Sequence, residues 1–269
     1  MSDSIFVRDG EHFIPTEHAR GPWDPQALHG GAPAALLAAA FERMEPGAEL
    51  VVGRLGFEFL RPIPAAPLTL STRVLRAGRR VQELGGELHA GEVLVCRASA
   101  LRVQEVPSDL PRPDPPAQGA MAPPEPPPLP PPETGEPVSF ALERSPGPGF
   151  GPTAMEMRWL DDPYAPGPGR VWMRLRRELL PGEALTPLAR VAATADFGNG
   201  VGAALPFDRY LFINADLTIH LYRPAAGDWI GLDARTLLEA GGAGTAESAL
   251  HDTAGPVGRA FQTLVVQPR

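Results

Sequence analysis

The sequence predicts an α+β protein in which one unit, an apolar helix followed by a long antiparallel sheet, occurs twice. Three observations carry this. A six-residue pattern recurs: Phe57-Glu58-Phe59-Leu60-Arg61-Pro62 in the first half and Ile219-His220-Leu221-Tyr222-Arg223-Pro224 in the second. The β-rich stretch that follows has nearly the same span, 43 residues from Arg61 to Gln104 and 44 from Arg223 to Gln267. The apolar phase is shared as well. Leu55, Phe57 and Phe59 alternate along one strand, and Leu217, Ile219 and Leu221 alternate along the other, each displaced by 162 positions. Strand side chains repeat with period two, so a shared phase means a shared face. A long internal repeat points to a duplicated domain. Two copies are then free to divide a job, one keeping a polar site that the other has lost.

In the first copy, Ala32 to Met44 (APAALLAAAFERM) reads as a helix. Alanine and leucine dominate it, Pro33 sits where a missing N–H does no harm, and Pro46-Gly47 ends it. It is apolar nearly all round, which implies burial. Strands follow near Leu50–Leu60, Leu68–Ala77, Arg80–Ala90 and Glu92–Gln104, the last three as a meander turning at Ala77-Gly78 and Ala90-Gly91. In the second copy, strands are expected near Ser139–Glu143, Ala154–Leu160 and Gly169–Leu175. A helix from about Pro187 to Phe197 comes next. Further strands fall near Phe212–Tyr222, Trp229–Glu239, Gly244–Asp252 and Pro256–Val266. Between the copies, residues 107–137 are dense in proline and poor in apolar residues, which favours an extended linker outside both cores. The expected division is 1–106, linker 107–137, and 138–269.

Composition narrows the function classes. The 269 residues, 43% hydrophobic and 21% charged, suit a soluble globular chain. A net charge of −8 without a Lys/Arg cluster argues against nucleic acid as the main partner. An anionic small molecule needs only a local patch or a helix N-terminus. Cys96 is the single cysteine, has no internal disulfide partner, and reads as a packed thiol in a buried strand. No apolar run approaches a spanning helix and no signal peptide is evident, so a cytoplasmic protein without a membrane partner is expected.

The chemistry-bearing residues cluster around the two helices. Gly21-Pro22-Trp23-Asp24, then His29-Gly30-Gly31, immediately precede the first helix. The second helix ends in Ala195-Asp196-Phe197. It is followed by Asn214-Ala215-Asp216-Leu217-Thr218, by Arg223-Pro224, and by Phe261-Gln262 in the last strand. In this order and spacing the chain resembles the acyl-CoA thioesterases of the hotdog superfamily, and its second half resembles the bacterial type II enzymes. The resemblance covers nearly everything except the proline-rich linker. It implies a double hotdog, each sheet wrapped around a central helix and the two sheets joined, acting on acyl-CoA without a cofactor or metal. It also implies a carboxylate, a small hydroxyl residue and a glutamine that together hold and activate a water. Asp196 and Gln262 match the first and last; Asn214 stands where the hydroxyl belongs. Asn both donates and accepts, so it can still position a water.

A water made basic by Asp196 would supply the nucleophile for thioester hydrolysis. Backbone N–H groups near Gly30 and Gly31, at the positive end of the first helix, would receive the oxyanion, with His29 beside them as part of the substrate-binding set. Aligning the helices sets Ala38 opposite Asp196 and Pro187 opposite His29. The first copy therefore has the glycines without the acid, and the second the acid without the glycines, which implies one composite site.

Other readings stay open at this point. Asp196 serves equally as a solvated acid at a helix end, Gly30-Gly31 as a tight turn, His29 as a packing residue, and Gln262 as an ordinary strand polar residue. Asn214, Asp216, Thr218 and His220 form an alternating row that suits solvent or a partner subunit. The Asp24/His29 spacing resembles the dyad of hotdog enoyl-CoA hydratases, and a non-catalytic acyl-CoA or acyl-carrier binder is a further alternative. Sheet edges invite pairing, so a homo-oligomer is expected.

Overall fold

The computed structural model describes residues 3–45, 50–105, 126–138, 147–239 and 241–269. The strand expected near Ser139–Glu143 and the larger part of the linker lie outside the described residues. The first copy contains β1 (Phe6–Asp9), β2 (His12–Pro15), α1 (Gly31–Arg43), β3 (Leu50–Phe59), β4 (Leu68–Arg76), β5 (Val81–Ala90) and β6 (Val93–Gln104). The second contains β7 (Met155–Trp159), β8 (Gly169–Leu175), α2 (Pro187–Ala195), the single turn α3 (Gly198–Val201), β9 (Tyr210–Asn214), β10 (Asp216–Leu221), β11 (Ile230–Leu238), β12 (Ala243–Asp252) and β13 (Gly255–Pro268). All strands belong to one antiparallel sheet in the order β1-β2-β4-β5-β6-β3-β10-β13-β12-β11-β8-β7, with β9 beside β13. Sequence reading assigns no strand before α1. β1 and β2 are four residues each, too short to show a period.

The order is a palindrome of the repeat. Moving 162 positions along the chain carries β4 onto β11 and β5 onto β12, end for end, and β6 onto the start of β13. The central pair obeys the same rule. Leu217 faces Phe57 and Ile219 faces Leu55, so the displacement exchanges one pair for the other. Gly56 faces its own counterpart, Thr218, on the pseudo-two-fold axis. The expected single strand Phe212–Tyr222 is divided at Ala215, whose first-copy counterpart is Gly53. There β3 carries its register shift, between Val52 and Arg54. The two copies thus share the irregularity as well as the strands.

Inside the sheet lie the two helices, antiparallel and in contact. The start of α1 meets the end of α2, where a Cβ on Gly31 would lie 2.7 Å from the Ala193 carbonyl oxygen. At the other end, the Leu188 N–H of α2 donates to Glu42 Oε2 of α1 at 3.2 Å. Thr186 caps α2 by accepting from the Ala189 N–H, and Pro187 occupies the first turn. α1 is buried on nearly every face, as its composition requires; Leu36, Leu37 and Phe41 are fully enclosed. Each such side chain stabilises the fold by about 1.5–3 kcal/mol. Cys96 is fully buried, and burial, helped by the charges of Glu58 and Asp196, pushes its thiol up to about 12.

One charged residue enters this core. Arg102 of β6 is 3% exposed and points inward, where its guanidinium donates to the carbonyls of Phe41 at 2.6 Å and Met44 at 2.8 Å and to Gln82 Oε1 at 3.0 Å. It satisfies the carbonyls left open at the end of α1 and complements the negative end of that helix.

The described end of the proline-rich run lies on the outer face of the second copy. The Trp172 indole donates to the Pro130 carbonyl at 2.7 Å, and Pro132 is buried. Glu136 exchanges two backbone hydrogen bonds of 2.8 Å with Trp159, at the free edge of β7. At the opposite edge, Ile5 and the first residue of β1, Phe6, donate to the carbonyls of Glu178 and Leu179, just past β8. No helix among the described residues is long and apolar enough to cross a membrane.

Candidate active site

The site forms where the start of α1 meets the end of α2. Segment 20–30 is fixed first. Its Leu28 N–H donates to the Ile63 carbonyl, its His29 N–H to the Ala19 carbonyl, and Gln26 accepts from the Ala65 N–H. The loop after β3, which carries Arg61 and Pro62, therefore holds the glycine-bearing segment in place. Gly30 and Gly31 then permit a close approach. A Cβ on Gly30 would lie 2.8 Å from Asp196 Oδ2 and 3.1 Å from Phe59, and one on Gly31 would lie 2.8 Å from Phe150. Gly30 has φ −56°, an ordinary helical value, so the requirement is for space.

Asp196, at the C-cap of α2, is 3% exposed. Its Oδ1 accepts from Asn214 Nδ2 at 2.8 Å, and its Oδ2 lies 2.9 Å from His29 Nδ1. The sequence-predicted His29, Gly30, Asp196 and Asn214 thus meet at one point, contributed by both copies. The Gly31 N–H also points at His29 Nδ1, at 3.1 Å. A single ring nitrogen cannot donate to the carboxylate and accept from the amide together. Nδ1 therefore either donates to Asp196 Oδ2 or accepts from the Gly31 N–H, according to the tautomer. The imidazole packs at a tilt against Phe197, with centroids 4.3 Å apart, and against Phe150 at 5.1 Å.

Gln262 takes a different place from the one expected. It is 2% exposed, and its carboxamide grips the turn between α2 and α3: Nε2 donates to the Asp196 backbone carbonyl at 3.1 Å, and Oε1 accepts from the Asn199 N–H at 2.9 Å. It does not line the cavity. Asn199 does, and its own amide donates to the Phe212 carbonyl at 3.1 Å. Sequence reading passed over Asn199, whose one signal is its place between Gly198 and Gly200. A Cβ on Gly198 would lie 2.6 Å from Ser248 Oγ, so this turn is tight. The Asp24 carboxylate closes its own loop by accepting from the Gln26 N–H at 2.8 Å, and the carboxylate in contact with His29 belongs to Asp196. Asp216, in the polar row of the central strands, accepts from the Thr263 N–H at 2.6 Å.

Asp196, Asn214, His29 and Gly30 open onto a cavity of about 360 Å³. Its walls are Trp23, Leu28, Phe59, Ile63, Leu211, Ile213 and Val265, and Arg61, Pro62 and Gln267 also line it. Trp23 stacks on Phe207 at 5.5 Å and meets the edge of Phe212 at 5.3 Å. A mostly apolar cleft with a few convergent polar groups is the ordinary form of a small-molecule site. Among the described residues no group of three or more His, Cys, Asp or Glu side chains is placed to hold a metal ion. The pseudo-two-fold mate of the site is apolar. Displacement by 162 positions sets Val52 against Asn214 and Ala100 against Gln262, and the sequence alignment of the two helices, offset by 158, sets Ala38 against Asp196.

Comparison with known proteins agrees with this arrangement. Residues 19–103 match the acyl-CoA thioesterase N-terminal domain, and residues 121–266 match the acyl-CoA thioesterase C-terminal domain. None of the curated proteins matches the sequence. Among solved structures, the chain is similar to a protein described as a thioesterase II from Thermobifida fusca YX (TM-score 0.70, 20% identity, 97% of this chain and 95% of that one). It is also similar to a hotdog-fold protein of unknown function from Alicyclobacillus acidocaldarius (0.68, 18%, 97% and 95%). The acyl-CoA thioesterase II TesB2 of Mycobacterium marinum follows at 0.59, with 16% identity over 90% of each chain. With its halves matched in order to the two domains of one family, and the same helix-and-sheet unit present twice around a single polar site, the chain belongs to the acyl-CoA thioesterases and is a double hotdog.

Proposed function

We propose that this thioesterase hydrolyses acyl-CoA by direct attack of a water that Asp196 deprotonates. The observation that carries the reading is the composite contact: a buried carboxylate from the second copy, held by Asn214 on one oxygen and faced by His29 on the other, against the start of α1 from the first copy. The thioester carbonyl would lie with its oxygen toward the Gly30 amide, at the positive end of α1, where developing negative charge is favoured. Water adds to the carbonyl carbon as its proton passes to Asp196. The C–S bond then breaks, and that proton goes to the departing sulfur, leaving the free acid and CoA thiol. His29 shares the proton in transit, and Asn214 orients the carboxylate. Gln262 acts one step removed, by fixing the turn that carries Asp196.

The test is thiol release from a panel of acyl-CoA esters. Asp196→Asn keeps the size and removes the base, and should lower kcat by ~10²–10⁴ with a much smaller change in KM. Asn214→Thr restores a hydroxyl donor and should preserve or raise activity. If Asp196→Asn retains most of the wild-type rate, the assignment of the base is wrong.

A further inference from the structure

The repeated Arg-Pro at the end of the shared strand has two different fates. In the second copy Arg223 is locked. Its guanidinium makes a two-pronged pair with Asp252, at 2.5 and 2.6 Å, and donates to the carbonyls of Pro256 and Gly255. Asp252 is 1% exposed and also accepts from the Ala226 and Ala254 N–H groups, so that arginine belongs to the framework. Displacement by 162 positions carries Asp252 onto Ala90. The first-copy arginine, Arg61, therefore has no acid to close on. It is exposed, makes none of the ion pairs found among the described residues, and lines the cavity that holds Asp196. It sits on the loop that fixes the glycine segment, so it is positioned by backbone bonds while its charge stays free.

We infer that Arg61 is a specificity residue that binds a phosphate of the CoA carrier at the cavity mouth, on the thioesterase reading given above. A free guanidinium on an acidic protein, beside a largely apolar cleft, suits a phosphate by charge and fork geometry. Its exposure places it on the solvent side, where the carrier and not the acyl chain emerges.

The test compares Arg61→Gln with wild type on two thioesters of the same acyl group, acyl-CoA and acyl-N-acetylcysteamine, the second lacking phosphate. CoA binding by calorimetry supplies a readout independent of turnover. Loss of one charge-assisted contact should raise KM for acyl-CoA and weaken CoA binding by about tenfold, with less than about twofold change in KM for the phosphate-free thioester. Added salt should weaken CoA binding by wild type more than by the variant. An equal effect on both thioesters, no effect on CoA binding, or an effect confined to acyl groups bearing a carboxylate would each overturn the proposal. If wild type binds CoA through Arg61 but hydrolyses neither thioester, the catalytic reading fails while this one stands.

Discussion

At the scale of single residues, the site depends on what is missing as much as on what is present. Gly30 supplies no side chain, and the space it leaves lets the start of α1 close on Asp196. Gly30→Ala is compatible with its helical φ, so the fold should survive. The added methyl would still displace the Asp196 carboxylate by part of an ångström. A misplacement of that order costs up to about 100-fold in rate; steady-state kinetics on acyl-CoA with an unchanged melting temperature would show it, and a wild-type kcat would refute it. The family resemblance of the sequence singles out Asp196 and Asn214, and the structure brings both together with His29 and Gly30. Sequence alone does not give the job of Gln262. The partners of that carboxamide are backbone groups of a tight turn, Asp196 O and Asn199 N–H, and a turn conformation leaves no trace in side-chain pattern. Nor does it show Arg102 inside the core, since an arginine in a strand reads as solvent-facing until the end of α1 is seen above it.

At the scale of elements, strands of five residues or more were legible, and the two of four residues, β1 and β2, were not. Two predictions belong here. Arg102→Leu removes the guanidinium's bonds to the Phe41 and Met44 carbonyls and to the buried Gln82 Oε1, and should destabilise the protein by on the order of 2–3 kcal/mol; chemical denaturation measures it. The end of β12 should give a pH-dependent stability. His251 is fully buried, and neither ring nitrogen has a protein partner among the described residues. Burial holds its imidazole below the ordinary value, with Asp233 and Asp252 opposing the shift and Arg223 and Arg259 reinforcing it. The unfolded chain therefore takes up this proton near pH ~6.5, before the folded protein does. The stability from the neutral ring is fully present above that pH and is lost as pH falls below it. Burial works to raise the neighbouring Asp252 carboxyl, and bonds from Arg223, Ala226 and Ala254 outweigh it, leaving it below its usual value. Its contribution in turn is lost only below pH ~4. Melting temperatures from pH 8 to pH 5 should fall, and His251→Gln should flatten that slope; a flat profile in the wild type would contradict this.

At the scale of the whole molecule, duplication has left one site where symmetry allows two. In the sequence correspondence of the two copies, Ala38, Val52 and Ala100 align with Asp196, Asn214 and Gln262, so a non-hydrolysable acyl-CoA analogue should titrate to one equivalent per chain by calorimetry. Two equivalents would mean that the apolar mate also binds. Among the described residues the edges are covered only in part, Phe6 of β1 by Leu179 and Trp159 of β7 by Glu136, so the proposal of a homo-oligomer formed through them stands. The seat of the proline-rich run on Trp172 was not legible, since nothing in a proline run says which surface it will cover.

The seat at Glu136 has a consequence beyond the fold itself. A sheet this wide with bare ends would template further strands, each added copy offering the same edge to the next, and such growth does not terminate. Here the chain spends two backbone hydrogen bonds at each end on itself, which shortens the edge left for further growth. Fibrillar aggregation on heating would then begin by peeling these short covers away, well before the helices at the centre are exposed.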